Sequence, residues 1–219
     1  MMEGKRRKMK KDLIIVGAGG YGREVLQIVK DINKVEDKWN ILGFINDIGD
    51  ALDNYECDYS IIGTIKDWIP QEGQEFVCAV ADPLGKELVT KTLKEKGAVF
   101  TSAIHPTAYI SEYAKVGEGV VMSIHSGISV NCKIGDFVTV LYSTIIGHDV
   151  NIGNYCTISS LSECAGGVEL EEKVFLGSHV TVIPRKKVCT GAYVAAGSVV
   201  VTNIQPGNHV MGNPAKKID

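Results

Sequence analysis

The sequence has no long apolar run, no excess of one charge and no closely spaced pair of cysteines. The first apolar run, residues 13–16, is too short for the core of a signal peptide or for a membrane span. The formal net charge of −3 gives no reason to expect binding to nucleic acid or to an anionic membrane. We therefore expect a cytoplasmic protein with neither kind of partner.

The 6 cysteines do not include a pair spaced as in a CxxC motif. Cys132, Cys156 and Cys164 fall on inward or small positions of the repeat described next, where a thiol behaves as a small apolar group. We expect reduced, structural cysteines rather than disulfides or a zinc site, and we expect no bound metal.

The second half of the chain carries a repeat of six residues without an insertion. The residue four places after each apolar position is usually small or valine, and the residue directly after it is often glycine, as at Gly117, Gly135, Gly147, Gly153 and Gly177. The apolar positions are Ile110, Val116, Met122, Ile128, Ile134, Val140, Ile146, Ile152, Ile158, Cys164, Leu170, Leu176, Val182, Val188, Val194 and Val200.

A period of six is typical of a parallel β-helix. Each repeat forms one short strand and a corner, and three repeats form a triangular coil of about eighteen residues that stacks on the next coil. We expect about five coils between residues 110 and 200, with the apolar positions pointing inward. We expect the glycines to adopt the backbone conformation that turning requires. A β-sandwich would instead show alternation with a period of two.

The first hundred residues alternate between predicted strands and helices. Strands are predicted at residues 12–16, 41–45, 59–62, 76–81 and 99–100, and helices at 23–33 and 83–96, the second closed by Gly97. This order indicates a small doubly wound α/β domain with a parallel sheet. We predict a basic tail at 1–11, a Rossmann-like α/β domain at 12–104 and a β-helix domain at 105–219.

Gly17, Gly19 and Gly22 form a G-x-G-x-x-G loop between the first strand and the first helix. Such a loop lets backbone N–H groups at a helix N-terminus approach a phosphate. About 90 residues are too few for a two-halved dinucleotide fold. A nucleotide-linked or sugar ligand is therefore favoured over NAD, and a loop that only packs tightly is the third interpretation.

His148 is the histidine of the repeat that most suggests chemistry. Asp149 follows it, and Gly166 lies one coil further on. A neutral imidazole is a natural general base, and a free glycine N–H can hold a developing oxyanion. In a regular strand Asp149 would point away from His148, so it can orient the ring only if the corner turns it. His125 and His179 lie three coils apart and are expected to be solvated or to lie between subunits.

Four segments together resemble the NeuD/PglD group of bacterial sugar acetyltransferases, within the hexapeptide-repeat acyltransferase superfamily. They are GAGGYGRE after the first strand, GFIND at the end of the second, IIGHD in the repeat and MGNPAKKI near the end. The resemblance covers residues 12–218. It implies a left-handed parallel β-helix, a homotrimer with active sites between neighbouring subunits, acetyl-CoA as the donor, and a sugar or nucleotide sugar as the acceptor.

The resemblance also implies roles for single residues. His148 corresponds to the general base, Asp149 to the acidic neighbour that tunes it, and Gly166 to the glycine whose N–H faces the acetyl carbonyl. The positions that match the CoA site are Gly166, Gly177, Ser178, Ala195, Ala196, Gly197, Gly212, Asn213 and Pro214. The positions that match the nucleotide-sugar pocket are Gly19, Gly20, Tyr21, Asn46, Asp47, Ala81 and Asp82.

Three places depart from the pattern of this group. Tyr21 stands where many members have histidine, Leu141-Tyr142 where many have asparagine-threonine, and Thr157 where a second histidine is common. These positions line the acceptor side in relatives, so they leave the acceptor open. We expect N-acetylation of a nucleotide-linked amino sugar of the UDP-4-amino-sugar type, for bacterial surface glycans. The alternative is O-acetylation of sialic acid or another surface sugar.

Three other functions follow from parts of the pattern. A serine or maltose acetyltransferase would share the β-helix, but the N-terminal α/β domain argues against it. A non-catalytic trimeric scaffold would bind no CoA. An NAD-dependent oxidoreductase would bind NAD(H), and the sequence shows no catalytic dyad after the glycine loop.

Overall fold

The computed structural model of the chain describes residues 10–218. Residues 1–9 and 219 lie outside the described residues, and with them most of the predicted basic tail. Lys11, the last residue assigned to that tail, is already the first residue of a strand. Within residues 10–218 the helices are too short or too polar to cross a membrane.

The N-terminal part is a four-stranded parallel sheet with two helices. Its elements are β1 (Lys11–Val16), α1 (Gly20–Glu36), β2 (Trp39–Ile45), β3 (Ile61–Gly63), β4 (Gln74–Cys78) and α2 (Pro83–Glu95). The strand order is β3-β2-β1-β4, and all neighbours run parallel. The predicted α/β fold is therefore confirmed, and the carboxyl ends of β1, β2 and β4 meet at one edge of the sheet.

Several predicted boundaries differ from the observed ones. Helix α1 begins at Gly20 rather than Arg23, because the glycine loop itself supplies the first helical turn. An added Cβ at Gly22 would lie 2.2 Å from the carbonyl oxygen of Gly17, so glycine at this position lets the helix pack closely on the end of β1. The strand predicted at 99–100 is only a single bridge between Phe100 and Phe76.

From Ala103 onwards the chain winds into a parallel β-helix of short strands. These are β5 (Ala103–Ile104), β6 (Tyr109–Ile110), β7 (Lys115–Val116), β8 (Val121–Met122), β9 (Gly127–Ile128), β10 (Lys133–Ile134), β11 (Thr139–Val140), β12 (Ile145–Ile146), β13 (Asn151–Ile152), β14 (Thr157–Ile158), β15 (Glu163–Cys164), β16 (Glu169–Leu170), β17 (Phe175–Leu176), β18 (Thr181–Val182), β19 (Lys187–Val188), β20 (Tyr193–Val194) and β21 (Val199–Val200). The chain ends with β22 (His209–Met211) and β23 (Lys216–Lys217), an antiparallel pair.

The β-helix has three faces, because every third strand belongs to the same sheet. Face 1 contains β5, β8, β11, β14, β17, β20, β22 and β23, face 2 contains β6, β9, β12, β15, β18 and β21, and face 3 contains β7, β10, β13, β16 and β19. Each strand pairs with the one eighteen residues further on, as Thr139 does with Thr157. The predicted period and parallel pairing are confirmed.

Two rows of inward side chains fill the β-helix. The predicted apolar positions from Met122 to Val200 are all buried, and Ile110 and Val116 at the open end are partly buried. The second row, four residues after each of these, is buried from Val120 to Val180. Stacking therefore turns each coil's small apolar patch into one continuous core. Cys132, Cys156 and Cys164 lie in it as free thiols, at the predicted inward or small positions.

The corner glycines serve a different purpose from the predicted one. The five that follow the apolar positions do not adopt a positive φ. Instead, an added Cβ at any of them would come closer than 3.0 Å to the next coil, as with 2.6 Å from Gly177 to the Ala196 nitrogen. The prediction was wrong because the spacing between coils, and not the backbone conformation, excludes a side chain there.

The left-handed conformation belongs to a position two residues later. Every sixth residue from Gly119 to Gly197 adopts it, with φ between 53° and 72°. These residues are Gly119, His125, Asn131, Phe137, Ser143, Asp149, Tyr155, Leu161, Gly167, Lys173, His179, Arg185, Gly191 and Gly197. Each corner therefore turns by one left-handed residue, whatever its side chain.

The N-terminal part of the chain packs against face 1. Helix α1 contacts β5, and Phe100 packs edge-on against Phe137, with 5.2 Å between ring centroids. Phe137 in turn stacks on Tyr155, at 5.6 Å. Both rings stand at the corner that leads from face 3 to face 1, so the aromatic column fixes the sheet beside that corner.

Candidate active site

His148 stands at the corner where face 2 passes into face 3. Asp149 is the left-handed residue of that corner, with φ 60°, and this turn brings its carboxylate back to the imidazole. Asp149 Oδ2 lies 2.8 Å from His148 Nδ1. The corner therefore turns Asp149 toward His148, which was the condition for Asp149 to orient the imidazole. The hydrogen bond from His148, and a second from Asn131, hold the pKa of Asp149 below its ordinary value.

The carboxylate of Asp149 is held through both of its oxygens. Asn131, one coil earlier, donates from Nδ2 to Asp149 Oδ1 over 3.1 Å. With Oδ2 engaged by His148 Nδ1–H, the imidazole keeps its proton on Nδ1. The other ring nitrogen, Nε2, is then an acceptor and can take a proton from a bound substrate.

Gly166 lies directly against the Nε2 side of the imidazole. An added Cβ at Gly166 would be 2.4 Å from His148 Nε2, so a larger residue would displace the ring. Within residues 10–218 the Gly166 N–H has no hydrogen-bond partner, whereas the adjacent N–H groups of Ala165 and Gly167 are both paired. A base and a free donor therefore stand side by side.

The equivalent N–H groups at the corner between faces 3 and 1 show what kind of partner the Gly166 N–H lacks. There the N–H of Glu118 donates to Asp136 Oδ1 one coil on, and the N–H of Asp136 donates to Asn154 Oδ1 in the same way. The residue one coil after Gly166 is Pro184, whose side chain has no acceptor. Within the described residues this corner therefore leaves two donors unused, the N–H of Gly166 and the N–H of His148 itself.

A pocket of about 420 Å³ opens over this corner. It is lined by His148, Asp149, Gly166, Gly167, Pro184 and Arg185. The exposed Arg185 is bound to the corner through its backbone, which donates to the Gly166 carbonyl over 3.1 Å. The sequence interpretation missed Arg185, although the period could have placed it, since it lies two coils after Asp149.

Replacing Asp149 by asparagine tests how much the carboxylate contributes. We expect the kcat of acyl transfer to fall roughly tenfold, the rate equivalent of one charge-assisted hydrogen bond in a solvated setting. The reason is that an uncharged amide makes a weaker hydrogen bond to the ring than a carboxylate does and no longer selects the tautomer with its proton on Nδ1. Steady-state kinetics would measure this loss, and Asn131→Gly, which keeps the left-handed corner unstrained, should show a smaller one. A kcat equal to that of the wild type in Asp149→Asn would contradict the orienting role.

Apart from Gly166, which lies against His148, the positions predicted to bind CoA lie along a different corner, where face 1 passes into face 2. Gly197 N–H donates to the Ser178 carbonyl over 2.8 Å, and Val199 N–H donates to the Gly212 carbonyl over 3.0 Å. The segments containing Gly177-Ser178, Ala195-Ala196-Gly197 and Gly212-Asn213-Pro214 therefore occupy successive levels of one edge.

The predicted acceptor positions come together at the carboxyl edge of the N-terminal sheet. Gly19, Gly20 and Tyr21 follow β1, Asn46 and Asp47 follow β2, and Ala81 and Asp82 follow β4. Two of their polar side chains hold the loops in place. Asn46 Oδ1 accepts from the Ala18 N–H over 3.2 Å, and Asp82 Oδ2 caps α2 by accepting from the Gly85 N–H over 2.6 Å.

The glycine loop leaves the N-terminus of α1 open. Gly19 is the N-cap, makes no side-chain capping bond, and the first turn carries no acidic residue. An added Cβ at Gly19 would meet nothing within 4 Å, so the space above the helix end is free. Gly17 and Gly22, in contrast, serve close packing. Close packing therefore accounts for two glycines of the motif, Gly17 and Gly22, and does not account for Gly19.

The structure does not bring the three groups of predicted site residues together within one chain. The acceptor positions lie over face 1, as the contact between the Tyr21 hydroxyl and Thr139 Oγ1 shows. The CoA positions other than Gly166 lie at the corner between faces 1 and 2. His148 lies at the corner between faces 2 and 3, which is opposite face 1 in a triangular coil.

Lys86, on α2, is a further buried polar residue that the sequence did not single out. Its side chain reaches face 1 beneath the acceptor positions. No motif marks it, and its helix has apolar residues on the exposed side instead, Leu84 at 66% and Leu88 at 67% exposure.

Comparison with known proteins agrees with this two-part arrangement. Residues 12–93 match the PglD N-terminal domain. The chain is 27% identical over 212 residues to GDP-perosamine N-acetyltransferase of Escherichia coli O157:H7, which covers 93% of this chain and 95% of that protein. It is 30% identical over 137 residues to serine acetyltransferase 2 of Arabidopsis thaliana, but this covers only 61% of the chain and 38% of the relative.

Two solved structures share the fold over nearly the whole chain. The acetyltransferase domain of PglB from Neisseria gonorrhoeae FA1090, in complex with acetyl coenzyme A, has a TM-score of 0.86 at 24% identity and covers 96% of this chain and 100% of that one. PerB from Caulobacter crescentus, in complex with CoA and GDP-perosamine, has a TM-score of 0.85 at 24% identity, with coverage of 95% and 97%. The N-terminal domain match confirms the predicted resemblance to the NeuD/PglD group, and the two structures confirm that the fold is shared over nearly the whole chain.

Proposed function

We propose that this chain is an acetyl-CoA-dependent N-acetyltransferase that acts on a nucleotide-linked amino sugar. One observation carries the proposal: an imidazole held by a carboxylate at Nδ1 presents its Nε2 to Gly166, whose N–H has no hydrogen-bond partner among residues 10–218. A base and an oxyanion donor on neighbouring coils of one corner are what acyl transfer to an amine needs. The whole-length relative from Escherichia coli O157:H7 carries the name of such an enzyme.

The proposed reaction is direct transfer in a ternary complex. His148 Nε2 accepts a proton from the acceptor amine while the amine nitrogen forms a bond to the thioester carbonyl carbon. The Gly166 N–H donates to the oxygen of the tetrahedral intermediate. The carbon–sulfur bond then breaks, and the sulfur leaves with the proton from His148 as the CoA thiol. Proton transfer of this kind contributes about 10²–10⁴-fold to a rate.

The proposed site lies between two chains of a homotrimer. The acceptor positions, the CoA edge and His148 stand on different sides of one chain, so a neighbour has to supply part of the site. Face 2 and its corners also carry large apolar side chains that are 40–63% exposed: Tyr109, Val130, Ile145 and Leu161. A second chain would cover this surface and border the corner of His148.

A nucleotide-linked acceptor is favoured by the open end of α1. The Gly19–Tyr21 turn presents backbone N–H groups at a helix N-terminus without a capping side chain or an acidic neighbour, and a phosphate suits that position. The sequence alone favoured a UDP-linked 4-amino sugar. Because the relatives named above are connected with GDP-perosamine, the proposed acceptor class includes GDP-linked amino sugars.

The experiment that tests this function measures thiol release from acetyl-CoA with three acceptors. These are GDP-perosamine, a UDP-4-amino sugar and free sialic acid, each with the wild type and with His148→Ala. We expect His148-dependent release with at least one nucleotide-linked amino sugar and none above background with sialic acid. Release with sialic acid alone would establish the alternative, O-acetylation, and release with none of the three would contradict the proposed acceptor class.

A further inference from the structure

The side chain of Lys86 is a positive charge that is buried between the N-terminal domain and the β-helix. Its side chain is 1% exposed, and Nζ donates three hydrogen bonds, to Thr139 Oγ1 over 2.8 Å, to Thr157 Oγ1 over 2.9 Å and to the Cys156 carbonyl over 3.2 Å. All three acceptors belong to face 1. All three ammonium protons therefore form hydrogen bonds to residues of the β-helix, although the lysine itself belongs to α2.

The three acceptors of Lys86 are all neutral. None of the ion pairs found among residues 10–218 includes this lysine. Burial lowers the pKa of Lys86 to about 8. An ammonium without a carboxylate partner is costly to bury, and a methionine could occupy the same volume without that desolvation cost. Stability alone is therefore a poor reason for a lysine here.

The hydroxyls that Lys86 binds lead directly to two predicted acceptor positions. Thr157 Oγ1 accepts from Lys86 and donates to the Ala81 carbonyl over 2.6 Å. Thr139 Oγ1 accepts from Lys86 and also from the Tyr21 hydroxyl over 3.4 Å. Because the ammonium can only donate, both threonine oxygens must act as acceptors toward it, and the Thr157 hydroxyl proton then donates to Ala81, whose carbonyl can only accept.

We infer that Lys86 is a positioning residue that fixes Tyr21 and Ala81, on either side of the acceptor pocket, against face 1 through Thr139 and Thr157. This inference rests on the proposed function, since it assumes that these two residues contact the acceptor. Lys86 touches no reacting atom. Its effect is to hold the glycine loop and the β4–α2 turn at a constant distance from the β-helix, and so from any site that the β-helix completes.

The test compares Lys86→Met, Lys86→Arg and the control Lys91→Met, which removes an exposed lysine of the same helix that pairs with Glu87. We expect Lys86→Met to raise the KM for the nucleotide-sugar acceptor about tenfold, the equivalent of one lost charge-assisted hydrogen bond. The KM for acetyl-CoA and kcat should stay close to the wild-type values. Lys86→Arg should recover part of the loss, and Lys91→Met should behave as the wild type.

A change in both KM values together, or in neither, would overturn the positioning role. A second measurement keeps the inference testable if the wild type transfers no acetyl group to any acceptor. Hydrogen exchange of the peptides covering residues 17–24 and 79–85 should be faster in Lys86→Met than in the wild type, with the exchange of residues 110–200 unchanged. Unchanged exchange in the two pocket peptides would overturn the inference, whereas an inactive wild type with faster exchange would overturn only the proposed function.

Discussion

Replacing His148 by alanine should lower kcat about 10²–10⁴-fold, the usual contribution of a general base. The Kd for acetyl-CoA should change little, because all the positions assigned to CoA except Gly166 lie along another edge of the β-helix. The imidazole is exposed and its loss leaves no cavity, so the variant should fold as the wild type does. Steady-state kinetics and isothermal titration with acetyl-CoA would measure the two quantities.

The matched control for this variant is His125→Asn. His125 is also an exposed histidine at a corner, but it adopts a left-handed conformation, which asparagine tolerates better than alanine. We expect its kcat to equal that of the wild type. A His148→Ala enzyme with nearly full kcat would mean that another group, or solvent, takes the proton of the acceptor.

Replacing Gly166 by alanine should reduce kcat by about 10²-fold, because a small displacement of a catalytic group is enough for such a loss. The added methyl would lie 2.4 Å from His148 Nε2, so the imidazole has to move away from the position that faces the acceptor. Gly166 does not adopt a positive φ, so alanine is compatible with the backbone and the β-helix should remain folded. Kinetics together with the histidine resonances in NMR spectra would report both effects.

Gly49→Ala is the control for this substitution. A Cβ at Gly49 meets nothing within 4 Å, and this residue belongs to neither the proposed site nor the β-helix. We expect wild-type kcat for it. If Gly166→Ala kept full activity with an undisturbed His148 resonance, the close approach of ring and glycine would have no functional consequence.

The core of the β-helix could be predicted because the buried positions recur every six residues along the chain. An inward residue at Ile128 requires one at Ile146 and another at Cys164, so a single register error would show as a polar side chain in the core. The left-handed corners could not be predicted in this way. They are occupied by residues as different as Phe137, Asp149 and Leu161, so no residue type marks them.

The candidate site could be predicted only in part, because its geometry depends both on the repeat and on the left-handed corners. That Gly166 stacks on His148 follows from the eighteen-residue coil alone. That Asp149 returns to the imidazole depends on its left-handed conformation, which the sequence does not reveal. Lys86 was beyond prediction because α2 reverses the usual pattern, with Lys86 and Thr90 buried and Leu88 exposed. The polar face of that helix is buried because face 1 offers threonine hydroxyls rather than apolar side chains.

The most direct test of N-acetylation is the chemical identity of the product. Wild-type enzyme, acetyl-CoA and GDP-perosamine or a UDP-4-amino sugar would be incubated, and the product examined by mass spectrometry before and after treatment with hydroxylamine, which cleaves acetyl esters and leaves amides intact. We expect one acetyl group on the nucleotide sugar that survives the treatment and is missing with His148→Ala. An acetyl group that hydroxylamine removes, or one that His148→Ala adds as fast as the wild type, would contradict the proposed reaction.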